Sequence, residues 1–391
     1  MKNFIFYAPT KVVFGKNTES QVGALVREFG GNKVLVHFGG KSARASGLLH
    51  SVEESLKSAG IEFVELGGVV PNPLLSKVLE GADLCRRENV DFILAVGGGS
   101  VIDSSKAIAY ALKYDGDVWD FYCGKAKPAS AAPVGSVLTL AAAGSEMSDS
   151  SVITNDNGML KRGCSSPFGH CRFAVMNPVL TFSLSPYQTA SGCVDIIMHT
   201  LERYFSVQGE SLLQDSIAEA LIRSVVANSK ILMARPDDYD ARSQIMWAST
   251  MSHNGATGYR FNGDWACHQL EHELSGMFGV AHGAGLSAIW GSWARYVLDV
   301  DASRFARLGA EVFGVSGADL RESALKSVCA AENFFASLGM PISIRDMGIE
   351  IDETIADKLA YKCSFAKTRT IGGFKKLDFD DMRKIYLAAA K

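Results

Sequence analysis

Residues 94–109 read LAVGGGSVIDSSKAIA. An apolar run ends in Gly97-Gly98-Gly99, and the residues after Ser100 place apolar side chains at helical spacing. The stretch therefore reads as a strand, a glycine turn and the start of a helix. Three glycines let backbone N–H groups approach a pyrophosphate at the helix N-terminus, with Ser100 as a further donor. The spacing is not G-x-G-x-x-G, so the standard Rossmann fingerprint is absent, and a tight turn that binds nothing is the alternative.

Outward from this stretch the same alternation continues. KVVFG, NKVLVHFGG, EFVELGGV, FILAVGGGS, VGSVLTL and RFAVMNP read as strands. Between them VGALVREFG, LLHSVEESLKSAG, LSKVLEGADLCRREN and VIDSSKAIAYALKY read as helices. Strands alternating with helices predict a parallel sheet covered by helices. After Ser183 the pattern changes. The runs 183–205, 211–236, 237–259, 303–314, 319–339 and 378–390 are helical in length and period, with few strand signals. Ser185-Pro186 is an N-cap followed by proline at the first helical position. Two domains are expected, an α/β domain over 1–183 and an all-helical domain over 184–391, with the active site in the cleft between them.

Composition narrows the class. The chain has 391 residues, 47% of them hydrophobic and 21% charged, and a formal net charge of −3. No basic run suits nucleic acid. The N-terminal MKNFIFYAPTKVVFG lacks the apolar core of a signal peptide, and no apolar run reaches the roughly 18 residues that span a bilayer. A cytoplasmic protein is the expectation. Cys85, Cys123, Cys164, Cys171, Cys193, Cys267, Cys329 and Cys363 form no C-x-x-C pair and read as reduced thiols.

A second stretch carries chemistry of another kind. Residues 263–285 read GDWACHQLEHELSGMFGVAHGAG. His268 and His272 are four apart and share a helix face. His282 follows Gly279 in His-Gly-Ala-Gly, read as a loop histidine where the backbone turns and approaches something closely. Asp195 and His199, in VDIIMHTLERYF, are also four apart. Asp195, His199, His268 and His282 together can close a carboxylate–imidazole metal site. A site that must also admit substrate needs an open position, so His272 is placed beside the substrate as a proton donor or orienter. Cys267 points about 100° away from His268 and is set aside.

Three further signals belong to the nucleotide side. The strand 34–38 ends in Gly39-Gly40-Lys41-Ser42, where an NAD site often places an acidic residue. Small residues leave room for a 2′-phosphate, which Lys41 and Ser42 could bind; a plain βα loop with a solvated lysine is the alternative. Asn72, between Pro71 and Pro73, is a candidate for the adenine side or simply a turn. Thr139 and Ser145 could line a nicotinamide pocket or cap turns.

With FYAPTKVVFG, LTLAAAGSEMS, VDIIMHTLERYF and the tail GGFKKLDFDDMRKIYLAAAK, these motifs resemble the iron-containing, group III alcohol dehydrogenase family. The resemblance spans essentially the whole chain and is nearest to the NADPH-dependent butanol dehydrogenases and broad aldehyde reductases. It implies a Rossmann-like parallel-sheet dinucleotide-binding domain and a helical metal-binding domain of dehydroquinate synthase-like architecture. It implies NADP(H), one divalent metal (Fe(II) or Zn(II)) on Asp195, His199, His268 and His282, and a homodimer. It also places Gly97–Ser100 and Asp103 at the pyrophosphate, and Thr139, Ser145 and Lys161 near the nicotinamide. The implied reaction is reversible oxidation of a primary alcohol such as butanol to its aldehyde by direct hydride transfer. The alternatives are a polyol dehydrogenase using NAD(H) and a non-catalytic relative. Departures from the family pattern fall at Ala141, Ala143 and Ser148, where proline, threonine and asparagine are usual, and at Trp290-Gly291.

Overall fold

The computed structural model describes residues 3–206, 211–258 and 263–391. They form two compact units, Tyr7–Leu184 and Ser185–Lys391, the latter joined by the N-terminal residues up to Phe6.

The first unit is built on β1 (Lys11–Phe14), β2 (Lys33–Phe38), β3 (Glu62–Leu66), β4 (Phe92–Gly97), β5 (Val134–Leu138), β6 (Ser150–Asn155), β7 (Leu160–Ser165) and β8 (Phe173–Met176). Six of these make one sheet in the order β1-β8-β5-β4-β2-β3, every neighbouring pair parallel. Helices α1 (Val22–Glu28), α2 (Ser42–Ala45), α3 (Leu48–Ser58), α4 (Leu75–Glu88), α5 (Gly99–Ala111) and α6 (Trp119–Tyr122) accompany them. The central strands read as unbroken apolar runs because helices bury the sheet on both faces. Val34, Val36, Phe92, Leu94, Phe173 and Val175 pack with Leu49, Val52 and Leu56 of α3 in one core. The chain leaves β2 toward β3 on one side and leaves β4 toward β5 on the other, so the connections diverge between β2 and β4. Ligands of open α/β sheets bind beyond the strand ends at such a point. Gly39–Ser42 and Gly97–Ser100 are the loops that flank it.

All six expected strands of the sheet are present. The antiparallel hairpin β6–β7 is additional and lies outside the sheet. Its turn, Asp156-Asn157-Gly158-Met159, carries an Asn-Gly pair of the kind that favours tight hairpins. Asp156 accepts bonds from the Ser76 backbone N–H and hydroxyl, both 2.9 Å, and so fastens the hairpin to the start of α4.

The second unit holds α7 (Pro186–Tyr204), α8 (Leu212–Ala234), α9 (Tyr239–His253), α10 (Ala266–Phe278), α11 (His282–Val297), α12 (Ala302–Leu308), α13 (Leu320–Ser337), α14 (Glu353–Cys363) and α15 (Phe379–Ala389). Ser185 caps α7 in a reciprocal capping box with Gln188. The run 303–314, read as one helix, is α12 continued by a π-helical turn over Gly309–Phe313. Helix α9 ends at His253, and Tyr259, the last residue of the run read as helical, lies outside the described residues. Among the described residues no helix is long and apolar enough to cross a membrane. Helix α7 packs on α8, α9 and α11, and α10 on α11 and α14. These contacts bring the polar faces of α7, α10 and α11 together.

Candidate metal centre and nucleotide loops

Helix α7 contributes Asp195 and His199, one turn apart and buried on one face. His199 Nδ1 lies 3.1 Å from Asp195 Oδ1, His282 Nε2 lies 3.7 Å from it, and His268 Nε2 lies 3.8 Å from it. The donor atoms of Asp195, His268 and His282 all fall within 4.8 Å of one another, and His199 joins this trio through Asp195. Asp195 Oδ1, His199 Nδ1 and His268 Nε2 are buried and, among the described residues, make no hydrogen bond. Leaving one such atom unpaired costs about 1–3 kcal/mol, so three converging on one point fit a cation that all of them would ligate. One carboxylate and three imidazoles are a borderline donor set that suits Fe(II) or Zn(II).

The surroundings set the charges. Burial alone would raise the Asp195 carboxyl, but the imidazoles of His199 and His282 outweigh it and hold the group well below the ordinary carboxylate range. Burial lowers His199 to about 4, so it stays neutral and ready to ligate. Burial acts on His268 in the same sense, yet the Asp195 and Glu202 carboxylates outweigh it and raise that imidazole to about 9.

Glu202 and Glu271 are functional candidates that the sequence reading passed over. Glu202 Oε1 accepts from the His268 backbone N–H at 3.0 Å and from His268 Nδ1 at 2.8 Å. Glu271 Oε2 meets Nδ1 of His282. Each pairing selects the tautomer that turns Nε2 toward Asp195. A signal existed in the spacing. Glu202 follows His199 by three on the same face of α7, and Glu271 follows His268 by three on α10. His253, at the end of α9, also adjoins the cluster, its ring centroid 4.2 Å from that of His199.

His282 requires a correction. It is the first residue of α11 and not a loop residue; the turn is made by Gly279, in the left-handed region at φ 69° after α10. The glycines after His282 serve helix packing. A Cβ on Gly283 would sit 2.0 Å from the carbonyl oxygen of Ser191 on α7, so the two helices approach through bare backbone. His272 is buried on α10, its ring centroid 5.8 Å from that of His282. Cys267 is buried too, and its thiol is pushed well above its ordinary range by burial, which leaves it a small apolar side chain.

In the first unit, Gly98 is the N-cap of α5, and the helix starts at Gly99. Missing side chains let the strap Leu140–Ala143 close on this turn. A Cβ on Gly98 would lie 3.1 Å from that of Leu140, and one on Gly99 3.1 Å from that of Ala143. Thr139 donates its backbone N–H to Gly97 at 3.1 Å. Ser145 bonds through its hydroxyl to Asp103 Oδ1, while Asp103 Oδ2 accepts the Val152 N–H at 2.9 Å. Both oxygens of Asp103 thus work inside the protein. Lys161, on β7, is buried and faces Thr154 across the hairpin. Asn72 adopts φ 56° between its two prolines. Lys106, read only as part of a helix, is fully buried. Its ammonium donates to the carbonyls of Ser145, Ser148 and Ser150 at 2.7, 2.9 and 2.8 Å.

A cavity of about 560 Å³ opens at the end of β2, lined by Phe38, Gly39, Gly40, Lys41, Arg44, Ala45 and Gly68. Among the described residues no acidic side chain lines it. Lys41 and Ser42 are exposed at the start of α2, and Arg44 pairs with Glu65 while lying over the Phe38 ring at 5.6 Å.

The fold is a parallel α/β sheet with a glycine turn at its switch point, followed by a helical unit that brings Asp195, His199, His268 and His282 together. Comparison with known proteins gives the family. Residues 9–178 match the family described as "Iron-containing alcohol dehydrogenase", and residues 189–390 match "Fe-containing alcohol dehydrogenase family, C-terminal". The chain belongs to the iron-containing alcohol dehydrogenase family and is an oxidoreductase of that class. It is 37% identical to NADH-dependent butanol dehydrogenase A of Clostridium acetobutylicum over 388 residues, 99% of each chain. It is 32% identical to NADPH-dependent aldehyde reductase YqhD of Escherichia coli over 392 residues, 100% of each. The crystal structure of NADH-dependent butanol dehydrogenase A from Thermotoga maritima superposes with a TM-score of 0.96 at 38% identity, covering 100% of this chain and 99% of that one.

Proposed function

We propose that this protein is a metal-dependent, NADP(H)-linked alcohol dehydrogenase and aldehyde reductase acting on primary alcohols such as butanol and on their aldehydes. The observation that carries the reading is the convergence of Asp195 Oδ1, His199 Nδ1 and His268 Nε2, buried and, among the described residues, without hydrogen bonds, with His282 Nε2 beside them. Asp195, His199, His268 and His282 would hold one divalent ion, Fe(II) or Zn(II). Such an ion would supply polarisation of an aldehyde oxygen or acidification of an alcohol hydroxyl, and a bound nicotinamide would supply the hydride chemistry, while the protein's part is to orient the reactants. Asp195 contributes the single negative charge among the ligands. Glu202 and Glu271 hold two of the imidazoles in place, and His272 passes the proton at the substrate oxygen.

On the cofactor side, Gly97, Gly98, Gly99 and Ser100 receive the pyrophosphate at the start of α5. Asp103 holds Ser145 in place, and Thr139, Ser145 and Lys161 lie toward the nicotinamide, with Asn72 on the adenine side. The acid-free cavity at Gly39-Gly40-Lys41-Ser42 supports NADP(H), because a 2′-phosphate needs room and cations rather than a carboxylate. Relatives whose names specify NADH stand beside one whose name specifies NADPH, so the nucleotide is the sharpest part of the test. A homodimer and a cytoplasmic location carry over from the family resemblance.

The test is nicotinamide oxidation with butanal on metal-stripped protein reconstituted with Fe(II), Zn(II) or no ion, in parallel with NADPH and NADH. Turnover restored by an ion and confined to NADPH is expected. Equal turnover with NADH would overturn the nucleotide reading. Turnover that persists without an ion would overturn the metal reading.

A further inference from the structure

Helix α10 carries Glu271 three residues after His268, on the turn that faces α11. Its side chain is fully buried, and its Oε2 meets Nδ1 of His282, the first residue of α11. The space it occupies is made by a glycine. A Cβ on Gly285 would lie 2.8 Å from Glu271 Cγ and 3.0 Å from its Oε1. No side chain fits at 285 unless Glu271 moves, and Cγ is not a flexible end that swings aside. One buried carboxylate, one imidazole and one bare backbone position thus form a matched set across the α10–α11 contact.

Burying a carboxylate beside an imidazole is costly unless the pair is well formed, and nothing in the packing of two helices requires it. An imidazole whose Nδ1–H is donated to a carboxylate has one tautomer and one orientation. Its Nε2 is then a more basic and better aimed donor. His268 has the same arrangement through Glu202, whereas His199 presents Nδ1 itself to Asp195.

We propose that Glu271 is a positioning residue for the metal centre, fixing His282 so that Nε2 faces Asp195, and that Gly285 is the space this carboxylate requires. The proposal rests on the reading of Asp195, His199, His268 and His282 as metal ligands. An alternative use of the same atoms exists, because Glu271, His272 and His282 also bring their donor atoms within 4.8 Å of one another and could hold a second ion. Metal stoichiometry separates the two.

The experiment is titration of metal-free full-length protein with Co(II) and with Zn(II) against a competing chelator. It reads dissociation constant, stoichiometry and the visible Co(II) spectrum, beside the melting temperature of the metal-free protein. Wild type should bind one ion. Glu271→Ala should weaken binding about 10- to 100-fold. Glu271→Gln, which retains an acceptor but loses the charge, should weaken it less. Gly285→Ala should shift affinity in the same direction by displacing Glu271. In Glu271→Gln the metal-free melting temperature should stay near wild type while the Co(II) spectrum changes; a merely structural glutamate would give the reverse. Unchanged affinity in both Glu271 variants, with binding abolished in His268→Ala, would overturn the proposal and leave the metal site standing. Two ions per wild-type chain, one of them lost in Glu271→Gln, would overturn it in favour of a second ligand role. Unchanged binding in His268→Ala would overturn the metal site itself, and the proposal with it.

Discussion

Two buried polar clusters, one in each unit, differ in how far they are satisfied. The Lys106 ammonium and the Asp103 carboxylate are bonded to protein partners: three carbonyls on the ammonium, and Ser145 and Val152 on Asp103. Around Asp195 the partners are close but the bonds are missing, with Asp195 Oδ1, His199 Nδ1 and His268 Nε2 all unsatisfied. A cluster that closes on itself is a structural element, whereas one that stops short by a coordinated shell is a receptor for something small and positive. Burial is equal in the two places, so burial alone does not identify a site. Unmet bonding capacity that converges on one point is what supports the reading of the Asp195 cluster as a site.

The strongest way to break this comparison is to remove a ligand. His268→Ala should lose the metal and reduce turnover by more than about a thousandfold, since the polarising charge goes with it. His272→Ala should keep the ion and lose about a hundredfold through the proton step. Metal content of the purified variants, measured beside turnover, decides between the two assignments. Normal metal and turnover in His268→Ala would make the open cluster structural after all.

The closed cluster makes an opposite prediction. Lys106→Met leaves the carbonyls of Ser145, Ser148 and Ser150 without their donor and should cost about 3 kcal/mol in denaturant unfolding. Nucleotide affinity should fall with it, while the dissociation constant for metal stays at the wild-type value.

Acidity sharpens the contrast further. In the metal-free protein His268 keeps its proton up to about pH 9, so an incoming ion must expel it. Metal affinity should therefore rise about tenfold per pH unit from neutrality to pH 9 and then level off. Calorimetry in buffers of different ionisation enthalpy should detect about one proton released from His268 at pH 7. A flat affinity over that range would show that His268 is already neutral at pH 7 in the metal-free protein.

A further effect belongs to His37 in β2, buried and bonded through Nδ1 to the Leu66 carbonyl at 2.8 Å and through Nε2 to the Ser104 hydroxyl at 2.9 Å. Burial lowers it to about 4, below the value an unfolded chain would have. The unfolded state binds that proton first, so the contribution is fully present above about pH 6.5 and is lost as pH falls toward 4. The loss amounts to about 3 kcal/mol at most. His37→Gln should unfold with a shallower pH dependence than wild type across that window.

Much of this was legible in the sequence. Strand–helix alternation showed the sheet, Ser185-Pro186 the start of α7, and the i,i+4 spacing of Asp195 and His199 a shared face. Three things escaped, each for a physical reason. His-Gly-Ala-Gly has the composition of a turn, but at Gly283 and Gly285 the missing side chains serve contact between helices, which local composition cannot distinguish from chain reversal. Glu202, Glu271 and Lys106 look like solvated charges on helix faces, because a single charge shows its burial only when the opposing helix or loop is known. Hairpin β6–β7 is short and interrupted by polar residues, and only Asn157-Gly158 betrayed it.

The single ammonium of Lys106 also governs motion. It grips carbonyls at 145, 148 and 150 at once, so this stretch of backbone cannot lift one residue at a time. Amide hydrogens there should exchange with solvent together, on the slow timescale of α5 itself, rather than by the rapid local fraying usual for a loop. A segment whose serines by sequence could merely cap turns is, in its dynamics, tied to α5.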